Sequence, residues 1–371
     1  MPEFVHDFVG ALNSIGNRVT LDTREIEDAG IYEILQTPGA ALGSWSILGD
    51  LLEPIREFRF KEQLGQAREV KTALSGLFGR FVARAYAVKY LGLNYFAHIH
   101  APPMSLVGGL GVLRKTRPGI KADMPDWVAW GVAGGLAIVE AKGSYDKAGP
   151  RALRERAYKQ AKRARIMHGR KLANFNRYAV VTRWGCSLPA PATDSMIYVR
   201  DPVTKGQTSP EEDAELGIGI ARRHFGALLI PLGQRELGQA LFTLAEVGRS
   251  NTASAGVAQR TALSQLHKAP RSELKSVALT GGDDGLIGGI ITRGGPLAIP
   301  KLSEADRKRL SRLNLKPCFV GVDKRMLEAV IKGDANRVRE LRGQAQLTAP
   351  VGEDAVASTD RAGSWIARLE S

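Results

Sequence analysis

The sequence predicts an α/β protein with a mixed central sheet flanked by helices. Apolar residues recur at helical spacing over residues 64–92. Several short apolar runs follow, and glycine or proline bounds each of them, as is typical of strands. At 371 residues the chain can bury one large core or two modest ones. We therefore expect a compact α/β unit over residues 64–202, with additions on both sides.

Composition narrows the class of protein. The two cysteines, Cys186 and Cys318, are too few and too far apart for a disulfide framework or a thiolate zinc site. No segment approaches the roughly 18 uninterrupted apolar residues of a membrane span. The N-terminal residues also lack a signal-peptide pattern. We expect a soluble, cytoplasmic protein with no membrane partner.

The chain before residue 124 is predicted to be mainly helical at first and to form short strands after residue 92. Residues 1–63 are expected to be helical decoration, because TREIEDAGIYEILQ has helical spacing and TPGAALGS interrupts it. A long helix then runs from residue 64 to a stop at Gly92. The run LNYFAHIHAPP predicts a strand that prolines end, and SLVGGLGVLRKTRPGIKAD predicts a glycine-rich connection with another short strand.

A hairpin is predicted over residues 124–143, MPDWVAWGVAGGLAIVEAKG. Its strands are WVAWGV and LAIVEAKG, with a turn near Ala133. In that register Asp126 lies opposite Glu140 or the next residue, with Cβ atoms about 5 Å apart. Glu140 and Lys142 share one face of their strand because side chains alternate. Three charges therefore converge on one spot.

This convergence is typical of a metal site. Two neighbouring carboxylates repel each other unless a cation lies between them, and Mg²⁺ prefers hard oxygen ligands such as Asp126, Glu140 and the Ala141 carbonyl. We expect Mg²⁺ there, with Mn²⁺ able to substitute. The remaining ligand positions of the cation would be open to water and to a phosphate oxygen. In an attack of that water on the phosphate, Lys142 would hold the water or stabilise the charge that develops on the phosphorane. Asp123 competes with Asp126 as ligand, but Asp126 has the better cross-strand register.

A strongly basic helix is predicted after the hairpin, over residues 151–171. Nine residues of this segment are Lys or Arg and only Glu155 is acidic, in a chain of net charge +14. A solvated helix face and a nucleic-acid contact both remain open, and the one-sided charge favours nucleic acid. The predicted contacts are Arg151, Arg154, Arg156, Lys159, Lys162, Arg163 and Arg165.

One glutamine of this helix is a further candidate. On a helical wheel Gln160 falls on the apolar face, among Leu153, Ala157 and Ala161. A glutamine turned toward a sheet needs hydrogen-bond partners, which either the nearby metal site or a backbone carbonyl can provide.

Together these residues resemble the PD-(D/E)XK phosphodiesterase superfamily, the restriction-endonuclease-like nucleases. Pro125-Asp126 and Glu140-Ala141-Lys142 match the motif, within the order helix, three strands, helix, strand over residues 64–202. The resemblance implies a Mg²⁺-dependent endonuclease that acts on DNA more readily than RNA. It implies a catalytic role for Gln160, with Lys159 less well oriented. It also implies a setting in bacterial defence or mobile-element DNA processing, where a homodimer or partner proteins are an option.

The chain departs from that family on the first helix. Many members carry a glutamate there as an extra ligand, at the position that Arg80 occupies here. Glu69 is the only substitute we identify, and it lies off the apolar stripe, so a second metal ion is optional. His98 and His100 share a strand face, but no third ligand accompanies them, which favours packing or a phosphate contact over a metal role.

Two other functions remain open. One is a nucleic-acid-binding subunit of a larger assembly, whose nuclease core is not essential. The other is a nuclease toxin effector, which would need a dedicated inhibitor protein.

Beyond residue 202 the patterns are weaker. Residues 203–248 predict a helical extension with Ser209 as a helix cap, and residues 249–275, rich in Ser, Thr and Ala, predict a linker. Residues 276–345 predict a small α+β region that includes a helix at SEADRKRLSRL. Residues 346–371 are expected to be a loose tail.

Overall fold

The fold is described from a computed structural model of the full chain. The structure describes residues 1–10, 15–36, 48–65, 68–99, 104–107, 110–114, 124–131, 135–145, 150–188, 190–247, 253–269, 285–291, 318–344, 348–350, 356–359 and 363–368.

The helices and strands are numbered along the chain. The helices are α1 (Thr23–Leu35), α2 (Leu48–Leu51), α3 (Arg68–Tyr90), α4 (Pro150–Ala161), α5 (Pro210–Leu229), α6 (Arg235–Val247), α7 (Ala253–Lys268), α8 (Lys324–Lys332) and α9 (Ala335–Gln344). The strands are β1 (Glu3–Gly10), β2 (Arg18–Thr20), β3 (Phe60–Glu62), β4 (Tyr95–His98), β5 (Met104–Val107), β6 (Leu110–Arg114), β7 (Trp127–Gly131), β8 (Gly135–Ser144), β9 (Ala164–His168), β10 (Lys171–Leu172), β11 (Phe175–Arg183), β12 (Cys186–Leu188), β13 (Met196–Asp201), β14 (Val203–Thr204), β15 (Leu286–Ile291), β16 (Cys318–Asp323), β17 (Thr348–Pro350), β18 (Val356–Thr359) and β19 (Ser364–Arg368).

An eight-stranded sheet lies at the centre of the protein, which confirms the α/β class with a mixed sheet flanked by helices. Its order is β2-β1-β13-β11-β8-β7-β4, with β14 paired to β11. The pairs β1/β13 and β11/β8 are parallel, whereas the other neighbours are antiparallel. Helix α4 lies in the connection between the parallel strands β8 and β11, as such a crossover requires.

Helices cover both faces of this sheet. Ala179 and Val181 of β11 form a small apolar cluster with Ala157 and Tyr158 of α4. Val180, which points the opposite way, belongs to the main core with the residues of α3. Both faces of the middle of β11 are therefore buried, which explains why the run from Tyr178 to Val181 is apolar without alternation.

Helix α3 approaches β8 unusually closely. A Cβ atom on Gly79 would lie 2.5 Å from the Gly143 nitrogen, and one on Gly143 would lie 1.9 Å from the Ser75 carbonyl oxygen. Only glycine at both positions allows the two backbones to meet. This contact brings the side of α3 that carries Arg80 next to the strand that carries Lys142.

Smaller sheets surround the centre. A four-stranded sheet has the order β10-β9-β6-β5, β12 pairs with β3, and a five-stranded sheet has the order β15-β16-β19-β18-β17. The predicted cap at Ser209 is confirmed: its side chain accepts the Glu212 N–H and begins α5. In the described part of the chain, no helix is long and apolar enough to cross a membrane.

The helical decoration predicted for residues 1–63 is incomplete: α1 lies at the predicted helix, but the segment also contains strands. Residues Glu3–Gly10 form β1, and Phe4 is fully buried. This strand pairs in parallel with β13, about 190 residues further along the chain. Local spacing carries no trace of such a distant pairing.

The predicted basic helix over residues 151–171 is too long. Helix α4 ends at Ala161, and residues 164–168 form β9 beside β6. Ala164 and Ile166 are buried while Arg165 is exposed, which is strand alternation within the basic run.

Two C-terminal predictions are also wrong. The predicted linker contains α7, which buries Ala258, Ala262 and Leu266 at four-residue spacing. Small alanines gave this stripe little apolar signal. The predicted loose tail contains three strands of the five-stranded sheet, and Ile366 is fully buried. The helix predicted at SEADRKRLSRL lies outside the described residues.

Candidate functional site

The β7–β8 hairpin brings Asp126 and Glu140 together. Trp127 pairs with Val139, so Asp126 is the next residue outward, beside Glu140. The Asp126 N–H donates to Glu140 Oε2 at 3.2 Å, and the Ala141 N–H donates to Asp126 Oδ2 at 2.8 Å. Each carboxylate is thus anchored by a backbone amide of the opposite strand.

Lys142 completes the convergence of charges. Its Nζ atom lies 2.6 Å from Glu140 Oε1, because residues two apart on β8 share a face. The Glu140 side chain is fully buried, whereas 37% of the Lys142 side chain is exposed. The ammonium therefore connects a buried carboxylate with solvent.

Burial dominates the electrostatics of the two carboxylates. Burial raises the pKa of Glu140 well above its ordinary value, and the nearby Asp126 carboxylate raises it further, against the opposing effect of Lys142. Burial also raises the pKa of Asp126, although Arg80 and the Ala141 N–H oppose the increase. Such a pair favours either a retained proton or a bound cation.

A third carboxylate, Glu33 of α1, lies beside this pair and was missed in the sequence. Its side chain is 1% exposed, and Oε1 lies 2.5 Å from Arg80 Nη2. Arg80 Nη1 in turn lies 3.6 Å from Asp126 Oδ1. Arg80 therefore connects the two carboxylates. The sequence feature that could have indicated Glu33 is that it is the one charged residue in the run AGIYEIL. The structure buries every residue of that run.

His98 and Trp127 enclose Glu33. The Trp127 indole N–H donates to Glu33 Oε2 at 3.1 Å, and His98 Nε2 lies 3.4 Å from the same oxygen. Burial opposes ionisation of Glu33, but His98 and Arg80 outweigh it and lower its pKa to about 2. The neighbours of Glu33 therefore favour its ionised form in spite of its burial.

A buried polar network continues away from the site. Arg84 Nη1 lies 3.4 Å from Glu33 Oε2 and donates to Gln36 Oε1 at 2.7 Å. The Gln36 amide then donates to the His224 carbonyl at 3.1 Å. Helices α1, α3 and α5 are thereby tied together behind Glu33.

Gln160 reaches the site through the backbone. Its Nε2 donates to the Met124 carbonyl at 2.8 Å, two residues before Asp126. This is the backbone-carbonyl alternative that the sequence left open. Gln160 thus supports the segment that carries Asp126, while Lys159 is exposed on the neighbouring side of α4.

The basic residues of the predicted interface differ in their exposure to solvent. Arg154 does not fit a nucleic-acid contact, because it is buried and its Nη1 lies 3.4 Å from Asp7 Oδ2. Arg163 is half-buried. Arg151 belongs to α4, but its side chain lies outside the described residues. The exposed members are Arg156, Lys159, Lys162 and Arg165.

Aromatic contacts organise part of this surface. Lys162 Nζ lies 4.5 Å from the centre of the Tyr158 ring, and the Arg200 guanidinium lies 4.0 Å from it. Arg200 also pairs with Glu155. The face formed by α4 and β13 is thus positively charged and partly ordered by Tyr158.

The remaining sequence candidates lie elsewhere. Glu69 is exposed at the start of α3, about 16 Å along the helix axis from Arg80. It cannot replace the first-helix glutamate of the resembled family. Asp123 and His100 lie outside the described residues.

The donor set fits a hard divalent cation. Asp126, Glu140 and the Ala141 carbonyl are oxygen ligands of the kind that Mg²⁺ prefers. Among the described residues, no group of three or more His, Cys, Asp or Glu side chains has the arrangement of a metal site. Water and phosphate oxygens would therefore supply the other ligands, and Arg80 and Lys142 would share the carboxylates with the cation.

Comparisons of the chain with protein-family models, with curated proteins and with solved structures found no match.

Proposed function

We propose that the chain is a metal-dependent endonuclease that hydrolyses phosphodiester bonds in DNA, with a restriction-endonuclease-like core. The observation that carries this proposal is the position of Asp126, Glu140 and Lys142 together at one end of the β7–β8 hairpin. A fully buried carboxylate, a half-buried one and a half-exposed ammonium are a chemically costly arrangement. Catalysis at a phosphate explains why a protein would maintain it.

The order of elements supports the core. Helix α3, strands β4, β7 and β8, helix α4 and strand β11 follow one another as the resemblance implies. The four strands are neighbours in the central sheet, with β8 parallel to β11. The β5–β6 hairpin and β9 are insertions that pair with each other in a separate sheet.

Each residue has a defined chemical role in the proposal. A cation held by Asp126 and Glu140 would act as a Lewis acid toward the phosphate and lower the pKa of a bound water. Lys142 donates a hydrogen bond to the attacking water, which its partial exposure allows. Gln160 keeps the Met124 carbonyl, and with it the strand that carries Asp126, in place.

The reaction is a hydrolysis. The oxygen of the attacking water forms a bond to phosphorus while the bond from phosphorus to the ester oxygen breaks. The water releases a proton to solvent and the departing oxygen takes one from solvent. The products are a phosphomonoester and a hydroxyl group.

DNA is the proposed substrate because of the basic surface on α4 and β9. Exposed Lys and Arg side chains at this surface would bind the phosphates of a nucleic-acid backbone. Such contacts supply affinity that does not depend on the base sequence. Bacterial defence or mobile-element DNA processing is the proposed setting, by analogy with the resembled family.

A second candidate function is a nucleic-acid-binding subunit without cleavage activity. The observation that favours it is that Arg80 and Lys142 already lie beside the two carboxylates. In a binding subunit these ion pairs would only neutralise buried charge, and no cation would be needed.

Cleavage assays separate the two functions. The purified full chain is incubated with plasmid, linear duplex, single-stranded DNA and RNA, each with Mg²⁺, Mn²⁺ or chelator. We expect cleavage with either metal and none with chelator. Asp126→Ala and Glu140→Ala should abolish cleavage, and Lys142→Ala should lower it by several orders of magnitude while nucleic-acid binding persists.

Glu69→Ala is the matched control, since it removes an exposed carboxylate from α3 far from the site. It should cleave like the wild type. Wild-type cleavage by Glu140→Ala, or cleavage that survives chelator, contradicts the nuclease proposal. Nucleic-acid binding without cleavage under every condition supports the binding subunit instead.

A further inference from the structure

We propose that Arg80 is a catalytic residue whose guanidinium binds the scissile phosphate, and that Glu33 and His98 position it. This inference rests on the proposed nuclease function and assigns a residue that the motif does not contain. It places an arginine where the resembled family often carries a glutamate.

The backbone of α3 brings Arg80 into the site. Arg80 follows Gly79, whose lack of a side chain allows α3 to touch β8 at Gly143. The Arg80 side chain is 29% exposed, whereas Arg84, one turn further along, is 2% exposed. Arg80 therefore stands at the boundary between the buried network and the solvent side of the site, where a phosphate would approach.

Three contacts hold the guanidinium in one orientation. Arg80 Nη2 lies 2.5 Å from Glu33 Oε1 and donates to His98 Nδ1 at 2.9 Å. Its carbon atom Cζ lies 5.2 Å from the centre of the Trp127 ring. Because a guanidinium only donates, His98 Nδ1 accepts, and its Nε2 side faces Glu33. One end of the planar group is thus fixed by an acceptor on each side.

The other end of the guanidinium points toward the carboxylate pair. Arg80 Nη1 lies 3.6 Å from Asp126 Oδ1, which is longer than a hydrogen bond. A phosphate oxygen bound beside Asp126 would be within reach of this donor. The rigid fork of arginine suits a phosphate better than the point charge of lysine.

Glu33 explains why the arginine does not block the cation. A guanidinium beside Asp126 competes with any cation that this carboxylate binds. Glu33 is buried and lies 2.5 Å from the Arg80 guanidinium, which stands farther from Asp126, at 3.6 Å. Asp126 therefore remains available as a ligand while the positive charge stays nearby.

The rival explanation is that Arg80 only balances the buried negative charges. A purely structural arginine would affect folding and cation affinity but not the chemical step. The two roles therefore differ in which measurement changes when Arg80 is replaced.

The experiment compares Arg80→Ala and Arg80→Lys with the wild type and with Arg68→Ala, which removes an exposed cation from the same helix. Single-turnover DNA cleavage at saturating Mg²⁺, Mg²⁺ affinity by calorimetry, DNA affinity and Tm are measured for each. For Arg80→Ala we expect Mg²⁺ affinity to be unchanged or tighter and cleavage to fall about 100- to 1,000-fold. Added guanidinium, well below denaturing concentrations, should restore part of this rate, whereas sodium chloride should not. Arg68→Ala should match the wild type.

The positioning role of Glu33 has its own readout. Glu33→Gln releases Arg80 toward Asp126, so Mg²⁺ affinity should fall about tenfold. The double variant Glu33→Gln/Arg80→Ala should recover that affinity, because the competing guanidinium is gone. If Glu33 is merely structural, Glu33→Gln and the double variant should lose the same amount of Mg²⁺ affinity.

The outcomes separate this inference from the nuclease proposal. If the wild type cleaves and both Arg80 variants cleave at the same rate, the role of Arg80 is wrong and the nuclease stands. The role of Arg80 is also wrong if the Arg80 variants lose cleavage only in proportion to a fall in Tm or in Mg²⁺ affinity, and added guanidinium does not restore it. If the wild type cleaves no substrate with either metal, both proposals fail.

Discussion

The Asp126 backbone N–H donates to the Glu140 carboxylate at 3.2 Å, across the open end of the β7–β8 hairpin. The reciprocal bond runs from the Ala141 N–H to Asp126 at 2.8 Å. Both side chains are therefore held in place by the strands that carry them. The hairpin positions a pair of carboxylates whose raised pKa values indicate that their charges are not fully compensated.

Removing one of these charges should stabilise the metal-free protein. Because the pKa of Glu140 is raised on folding, ionising it costs stability as pH rises through that pKa. Glu140→Gln keeps the shape and removes the charge, so it should raise Tm by a few degrees in chelator at neutral pH. It should also abolish stabilisation by Mg²⁺, which reaches about 2.7 kcal/mol for a ligand at 100 times its Kd.

Thermal melting with chelator and with Mg²⁺ measures both effects. The wild-type Mg²⁺ shift should disappear in mild acid, since protons compete for the same carboxylates. Glu69→Gln, at an exposed position, should behave as the wild type. A full Mg²⁺ shift in Glu140→Gln would place the cation elsewhere.

Glu33 should affect stability with the opposite pH dependence. Its pKa falls from 4.5 to about 2 on folding, so its contribution is present above the unfolded value and is lost as pH falls toward the folded value. Glu33→Gln leaves Arg80 and Arg84 without their buried partner and should cost about 3–5 kcal/mol at neutral pH. Urea unfolding across a pH series should show this difference shrinking below about pH 4.5. A constant difference at every pH would mean that packing, not charge, makes Glu33 important.

The close contact between α3 and β8 can be tested with two glycines. Gly143→Ala would place a Cβ atom 1.9 Å from the Ser75 carbonyl oxygen, so we expect a loss of about 1–3 kcal/mol and a marked fall in cleavage. Gly76→Ala is the control, because open space surrounds that position on the same helix. It should gain up to about 1 kcal/mol from helix propensity. Urea unfolding measures the free energy of unfolding of both variants. If Gly143→Ala is as stable as Gly76→Ala, α3 can move away from β8 without a loss of stability.

The exposed cations of α4 should determine the salt dependence of nucleic-acid binding. Replacing Arg156 and Lys159 together by Ala should weaken duplex binding and reduce the slope of log affinity against log salt by about 0.9 for each phosphate that the protein no longer neutralises. Lys332→Ala with Arg337→Ala removes the same charge from α8 and α9, where both side chains are exposed. Titrations at several salt concentrations should show an unchanged slope for that control. An unchanged slope for the α4 pair would show that this face does not bind nucleic acid.

Local pattern was enough to predict the hairpin and the convergence of its charges. A two-residue period on each strand and the short connection between the strands decide which side chains meet, and all of them lie within 20 residues. The stripe on α3 and the cap at Ser209 are equally local. Local pattern did not reveal α7, because the alanines of its buried stripe are small, or β9, because its alternation lies within a basic run.

The sequence by itself determined the α/β class, the long helix α3 and the carboxylates and lysine at the end of the β7–β8 hairpin. Only the tertiary structure decided that Glu33 meets Arg80, that Arg80 turns toward Asp126 and that β1 pairs with β13. The physical reason is the range of the contacts. Neighbours within a hairpin or a helix leave a periodic pattern in the chain. Groups from separate elements are brought together by packing and charge, which leave no such period.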